Sequence, residues 1–177
     1  MPLMAEGEFA LVQNHLEKAV QKGPLAWRPR GDHDLYAMLA DVASRQRDPE
    51  ALRRYAPLAE EAATQYDHKL YQAIAHRAWG VAHRLAGEYA QAESRFDQAL
   101  GLFQKLDARW QMGLTCSELG ELALARRDTA AARHYLTAAL ALFQSLGAAP
   151  DAARTQAMLE KLPEYRRTSV TLSSSMR

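Results

Sequence analysis

The chain has 177 residues, of which 48% are hydrophobic and 24% charged, and its formal net charge is +1. This composition is typical of one folded domain with a real core, and the balanced charge argues against nucleic acid or a membrane surface as the main partner. The single cysteine, Cys116, has no disulfide mate, and the N-terminus lacks the pattern of a signal peptide, so we expect a cytoplasmic protein. No apolar run approaches the ~20 residues that span a bilayer.

Helices are predicted along almost the whole chain. In chain order they are a single helix, three helix hairpins and a capping helix, at 7–22, 32–66, 70–106, 109–146 and 151–162. The linker at 23–31 is too rich in proline and glycine for a helix. We expect residues 1–162 to form one helical repeat domain and residues 163–177 to form a polar, basic tail.

An internal repeat of forty residues supports these hairpins. The pentamer LFQKL at 102–106 returns as LFQSL at 142–146. Four segments around these pentamers align without a gap, at 7–20, 47–60, 87–100 and 127–140. A fixed period of this length is the mark of a repeat architecture. We call the first helix of each hairpin helix A and the second helix B; the aligned segments are B helices, and the first of them has no helix A before it.

Capping residues mark where the predicted helices begin and end. Asp48 followed by Pro49 predicts an N-cap with proline at the first helical position. Asp128 predicts the equivalent cap in the third hairpin, and Gly147 predicts the end of the last B helix. Pro57 falls inside the B helix of the first hairpin, where we expect it to kink or break that helix.

Small residues at repeated positions predict close contacts between helices. Ala99 and Ala139 occupy equivalent positions in two B helices. Since a small side chain lets two backbones approach each other, we expect each alanine to mark a helix crossing with Trp79 or Leu119 opposite.

The repeat positions resemble the tetratricopeptide repeat (TPR) over residues 70–162. The second hairpin matches that motif at Trp79, Gly80, Gly87, Ala92, Phe96 and Ala99, and the third at Leu119, Gly120, Ala132, Leu136 and Ala139. The usual TPR period is ~34 residues, so the repeats here look like the longer ones found in bacterial regulator and scaffold proteins. The resemblance implies an all-α, right-handed superhelical stack of antiparallel hairpins that binds other proteins.

The resemblance also implies a concave groove lined by the A helices. The positions that would face it are Asp34, Ala37, Asp41, Ile74, Arg77, Val81, Arg84, Leu114, Ser117 and Glu121. Arg77 and Arg84 are seven residues apart on one helix face, where they could bind a partner's carboxylate. On this interpretation, reversing both charges abolishes partner binding and leaves stability unchanged. The alternative is that both arginines pair within the chain with Asp41 or Glu121.

Trp27 is a second candidate for partner binding. It lies in the linker between two prolines and beside two arginines, a combination typical of interface hot spots. The alternative is that Trp27 packs over the first hairpin. In the tail, the sequence RRTS also resembles a kinase site at Ser169.

Two histidines and the cysteine could suggest a metal site or a catalytic site, and the alternative for all three is a role in packing. His76 and His83 are seven residues apart, ~10.5 Å along a helix, which is too far for a shared zinc ion. We therefore expect no metal and no cofactor, and we interpret both as packing residues. Cys116 is expected to be a buried thiol without a catalytic base.

These patterns predict a non-catalytic scaffold or adaptor that binds a protein or peptide through the concave helix-A surface. The alternative is a ligand- or peptide-sensing module of a bacterial regulator, with a pocket near Trp79, His76 and His83. Self-association is a further possibility, because the unpaired terminal helices would leave apolar faces. No catalytic motif is present, so an enzyme is not expected.

Overall fold

The computed structural model describes residues 6–21 and 32–163. Within these residues the chain forms eight helices and no strand. They are α1 (Glu6–Gln21), α2 (Asp32–Gln46), α3 (Pro49–Gln65), α4 (Lys69–Leu85), α5 (Tyr89–Lys105), α6 (Arg109–Ala125), α7 (Thr129–Ser145) and α8 (Ala149–Glu160). Consecutive helices pack against each other, α1 against α2 and onward to α7 against α8, while α4 also contacts α2 and α6. The prediction of an all-α, solenoid-like fold is confirmed.

A left-handed residue ends every helix from α2 to α7. Six residues have φ between +48° and +80°, and they stand twenty positions apart, at Arg47, Asp67, Gly87, Asp107, Arg127 and Gly147. At the end of α3, for example, the amide of Asp67 donates to the carbonyl of Thr64 and the amide of His68 donates to that of Ala63. This bonding pattern is the Schellman motif, which satisfies the last carbonyl groups of a helix. Each helix from α3 to α7 is therefore 17 residues long, about 25 Å, and the next helix begins after a turn of three residues.

The predicted caps are present. The Asp48 carboxylate accepts hydrogen bonds from the amides of Glu50 and Ala51, at 2.9 and 3.0 Å, at the start of α3. The Asp128 carboxylate accepts one from the amide of Ala131, at 2.9 Å, at the start of α7. Gly147 ends α7 with φ +65°, as predicted. These caps satisfy amides that no helical carbonyl can reach.

Pro57 does not break α3, so the expectation of a break was wrong. The helix runs without interruption from Pro49 to Gln65. Pro57 is exposed, whereas its neighbours Tyr55, Ala56 and Ala59 are buried. The backbone bond that proline cannot make therefore lies on the solvent side, where water can satisfy the carbonyl of Arg53.

The closest helix contacts place a glycine of a helix A against a large side chain of a helix B. A Cβ atom added to Gly80 would lie 2.5 Å from the Phe96 ring, and one added to Gly120 would lie 2.7 Å from Leu136. The prediction that Trp79 or Leu119 faces the repeated alanines was wrong. The fully buried Ala99 and Ala139 instead pack in clusters around Phe103 and Phe143, the phenylalanines of the two pentamers.

The first and last described helices, α1 and α8, expose mainly polar side chains over residues 11–19 and 149–160. Tyr55 Oη donates to Glu17 Oε1 at 2.7 Å, which fastens α1 to α3. On α8 the exposed residues are small or polar, at Ala149, Ala153, Arg154, Gln156, Ala157 and Glu160. Among the described residues of these two helices, Leu11 is the one large apolar side chain that is exposed. The described part of α8 therefore lacks the apolar face expected of it, and the prediction of self-association stays a prediction.

Three predictions fall on parts of the chain outside the described residues. They concern the linker at 23–31 with Trp27, the tail beyond Pro163, and Ser169 within that tail.

The left-handed turns predict opposite effects for two glycine-to-alanine substitutions. Neither Gly87 nor Gly101 has a neighbour within 4 Å of an added Cβ atom, but Gly87 has φ +80° whereas Gly101 lies inside α5. We expect Gly87→Ala to lower the free energy of unfolding by about 1 kcal/mol, because alanine is strained at positive φ. We expect Gly101→Ala to raise it by about 0.5–1 kcal/mol. Urea unfolding measures both, and shifts of equal sign would contradict the assignment.

Candidate functional site

Four A-type helices converge on a small charged cleft of about 40 Å³. Side chains from α2, α4, α6 and α8 all line it, so it marks the concave side of the stack. Its lining residues are Asp41, Ser44, Arg45, Arg47, Arg77, Leu114, Ser117, Glu118, Glu121, Arg154 and Met158. We call the charged members, together with Arg84 behind them, the concave charge cluster.

Arg77 lies at the centre of this cluster and is only 3% exposed. Its Nη2 donates to Asp41 Oδ1 of α2 at 2.6 Å, and its Nη1 donates to Gln111 Oε1 of α6 at 2.5 Å. The guanidinium group also lies over the Phe103 ring, 5.4 Å from its centroid. One side chain of α4 therefore bonds to the A helices on both sides.

Arg84 lies seven residues after Arg77 on α4 and makes a second bridge to α6. Its Nη2 lies 2.7 Å from Glu118 Oε2 and 3.1 Å from Glu121 Oε2. Arg47, in the turn after α2, donates both of its Nη groups to Glu121. These bonds connect the turn after α2 to α6 across α4.

The buried charges in the cluster are unequally stabilised. Burial alone would raise the pKa of Asp41, but the charges of Arg77 and Arg45 outweigh it and hold that pKa below its usual range. Burial lowers the pKa of Arg77 by more than Asp41 raises it, although a guanidinium group keeps its proton at neutral pH. Burial and the charge of Glu121 raise the pKa of Glu118 above its usual range. The cluster thus holds the charge of Glu118 less firmly than that of Asp41.

The structure corrects the expected exposure of the groove residues. Val81 is fully buried, and Ala37, Ile74, Leu114 and Ser117 are buried as well. Arg77 and Arg84 pair with the acids named as their alternative partners, so the alternative interpretation describes them correctly. In this conformation neither arginine is open to a partner's carboxylate, and reversing the charge of Arg77 must disturb the fold.

Four predicted groove residues keep partial exposure, namely the paired Asp41 and Arg84 together with Asp34 and Glu121. Asp34 is half-buried at the start of α2, where its charge, after burial, contributes to the raised pKa of Tyr71. Glu121 is half-buried between Arg47 and Arg84. Ser117 lines the cleft, but its hydroxyl donates to the carbonyl of Gly113.

Several cluster residues were missed from the sequence. Arg47 and Arg154 are 49% and 57% exposed, which places them at the mouth of the cleft. Arg45 lies over the Trp110 ring at 5.0 Å, and the Trp110 indole N–H donates to Asp151 at 3.0 Å. These contacts join different repeats, so they depend on the curvature of the stack. No spacing along a single helix would have signalled them.

The histidines of α4 belong to a separate polar cluster on its other side. Arg95 Nη1 donates to Glu60 Oε1 at 2.6 Å and contacts His76 Nδ1 at 2.9 Å. Because arginine can only donate, Nδ1 of His76 accepts this bond and the ring is neutral. Trp79 lies between Arg95 and the stacked ring of His83. The expected pocket near Trp79 is thus replaced by packed rings, and the cleft lies elsewhere.

Cys116 is buried, as predicted, and burial raises the pKa of its thiol to about 11. A thiol in this state is a poor nucleophile. In the parts of the chain that the structure describes, no group of three or more His, Cys, Asp or Glu residues could hold a metal ion. Within the same ranges, 6–21 and 32–163, none of the helices has the length and apolar character needed to cross a bilayer.

Comparison with known proteins gives a likeness of fold. The sequence matches no family model and no curated protein. Among solved structures, the chain is similar to the crystal structure of BtubC (BKLC) from P. vanneervenii, with a TM-score of 0.55 and 18% identity. The match covers 97% of this chain and 82% of BtubC. At this identity the likeness shows the fold alone.

The buried position of Arg77 predicts a large stability effect. We expect Arg77→Met to lower the free energy of unfolding by about 3–5 kcal/mol, because Asp41 is left partly buried without its main partner. Adding Asp41→Asn should recover part of this loss, since it removes the uncompensated charge. The control is Arg126→Met, because Arg126 is exposed and pairs with Glu93 at the surface; we expect a change within about 0.5 kcal/mol. Equal effects of the two methionine variants in urea unfolding would contradict this account.

The neutral state of His76 predicts that stability rises with pH. Burial lowers the pKa of His76, the charge of Glu60 partly opposes this, and that of Arg95 adds to it. The unfolded chain therefore binds a proton at a higher pH than the folded chain does, and the free energy of unfolding falls as pH drops below about 6.5. We expect His76→Gln to flatten this dependence between pH 7 and 5. The exposed His134→Gln in α7 is the control, and an equal flattening in both variants would argue against His76.

Proposed function

We propose that this chain is a non-catalytic, cytoplasmic scaffold or adaptor of the TPR type, comparable to the repeat regions of bacterial regulators, that binds a protein or peptide partner. The observation that carries this proposal is the mouth of the concave cleft. There two half-exposed arginines, Arg47 and Arg154, line the cleft, and Arg45, which also lines it, lies over the ring of the half-buried Trp110. Arginine and tryptophan are the residues most enriched at the centres of protein interfaces.

The geometry of the cleft changes the expected binding site of a partner from the groove along the A helices to the mouth of the cleft. The A-helix positions that line the groove in the TPR resemblance are buried or paired here, so an extended peptide has no open channel along α4. A partner would instead contact the mouth of the cleft. An acidic side chain of the partner is the natural complement, because Arg154 is held only by one 3.3 Å contact with Asp151 among the bonds described for it.

Exposed apolar side chains along one edge give further support. Tyr66, Leu106 and Leu146 follow the B helices of the three hairpins at intervals of forty residues, and each is exposed. Each of these residues leaves more than two fifths of its surface in water. Coverage by another protein is a physical reason for such a row.

The first test compares two double variants, each of which removes two positive charges. We expect Arg47→Gln with Arg154→Gln to weaken partner binding by about tenfold or more, because each arginine can supply a charge-assisted hydrogen bond. The control is Arg53→Gln with Arg126→Gln, which removes two exposed arginines away from the cleft. Affinity capture from the native host with mass spectrometry identifies the partner, and titration then measures each affinity. Circular dichroism should give the same helical content for all proteins.

Capture of the same partner at the same affinity by both double variants would assign binding to another surface. Failure of the wild-type chain to capture any partner would count against the scaffold itself.

A second candidate function is the sensing of a small ligand. The observation that favours it is the cleft, which is enclosed by helices from all three hairpins and by α8. A ligand held there would contact both ends of the described repeat stack.

A further inference from the structure

The cleft carries more positive than negative charge. Four guanidinium groups line it, from Arg45, Arg47, Arg77 and Arg154, against three carboxylates, from Asp41, Glu118 and Glu121. Just outside the lining, Arg84 adds a positive charge beside Glu118 and Glu121, and Asp151 adds a negative one beside Arg154, so the excess of one positive charge remains. Excess charge in a partly enclosed, low-dielectric space attracts a counter-ion more strongly than the same charge in water.

The size of the cleft limits what that counter-ion can be. A water molecule needs about 10–15 Å³ of such volume, so about 40 Å³ holds roughly three waters. This is room for one small oxyanion with its first contacts. It is far less than the ~300–1,000 Å³ of a pocket for a drug-sized ligand.

The donors at the mouth are suited to an oxyanion. The bonds described for Arg154 use only Nη2, at 3.3 Å from Asp151, which leaves its other N–H groups for a ligand. Arg47 uses its two Nη groups on Glu121, and its Nε remains. Guanidinium groups bind phosphate and carboxylate oxygens with paired, charge-assisted hydrogen bonds. The hydroxyls of Ser44 and Ser117 already donate to backbone carbonyls, so they add little.

We propose that the concave cleft is a binding site for a single free oxyanion of the size of phosphate, held between Arg47 and Arg154. The ion gives the second candidate function its ligand class, and it would compete with a partner's carboxylate for the same two arginines. Because Arg47 follows α2 and Arg154 belongs to α8, the bound ion links the first hairpin to the last helix. It therefore holds the stack in its closed curvature.

The experiment titrates the full chain with sodium phosphate in a calorimeter, with sodium chloride at matched ionic strength as the reference. We expect phosphate to bind and to raise the melting temperature above the chloride reference. Arg154→Gln should weaken phosphate binding by about tenfold, the effect of one lost charge-assisted hydrogen bond. Arg126→Gln, which removes an exposed arginine outside the cleft, should bind phosphate like the wild type.

Two further measurements separate the proposal from its competitors. Hydrogen exchange should slow in α8 when phosphate is added to the wild type, and not in Arg154→Gln. Sodium acetate supplies the carboxylate that a partner's side chain would bring; binding of acetate without binding of phosphate would assign the cleft to a partner and overturn the proposal. Equal effects of phosphate and chloride, or equal phosphate binding by Arg154→Gln and the wild type, would also overturn it.

Discussion

The structure depends on one backbone constraint, the left-handed residue that ends each helix at intervals of twenty positions. Four of the six residues are not glycine, and each accepts a conformation that costs an L-residue about 1–2 kcal/mol. The turn bonds and the packing of equal helices offset this cost. Because helix and turn lengths do not vary from α3 to α7, equivalent side chains arrive at equivalent heights, and Gly80 meets Phe96 as Gly120 meets Leu136.

Apolar packing of this kind fixes which helices are neighbours, but it determines the angle between them less strictly. The buried ion pairs add that restriction. Arg77 reaches Asp41 on one side and Gln111 on the other, and both contacts require α2 and α6 at set distances from α4. A buried charge without its partner is costly, so the helices cannot rotate far from this arrangement without a large loss of stability. The buried charges therefore add a restraint on the curvature that forms the cleft to the restraint from apolar contact.

The sequence predicted the local features of the fold well. The repeat register, the capping carboxylates of Asp48 and Asp128 and the terminal Gly147 each depend on residues close together in the chain, and patterns report such features directly. The expectation that Pro57 breaks α3 was wrong because it took account of the lost backbone hydrogen bond but not of the side of the helix on which that bond lies. The candidate site was harder to predict. The rotation between successive hairpins determines which residues face the groove. The TPR resemblance implied a more open groove than the one observed. Arg47 and Arg154 come from separate elements, and only the curved stack brings them to one cleft.

The equal spacing of the turns has a consequence for how such a chain can change in length. A helix advances 100° per residue, so inserting or removing one residue inside α5 would rotate the rest of that helix and misplace Ala99 and Phe103. Duplication of a whole forty-residue unit, by contrast, joins one left-handed turn to its equivalent and leaves every buried side chain facing its usual neighbour. Gain or loss of complete hairpins is therefore the change in size that this architecture accommodates with least disturbance.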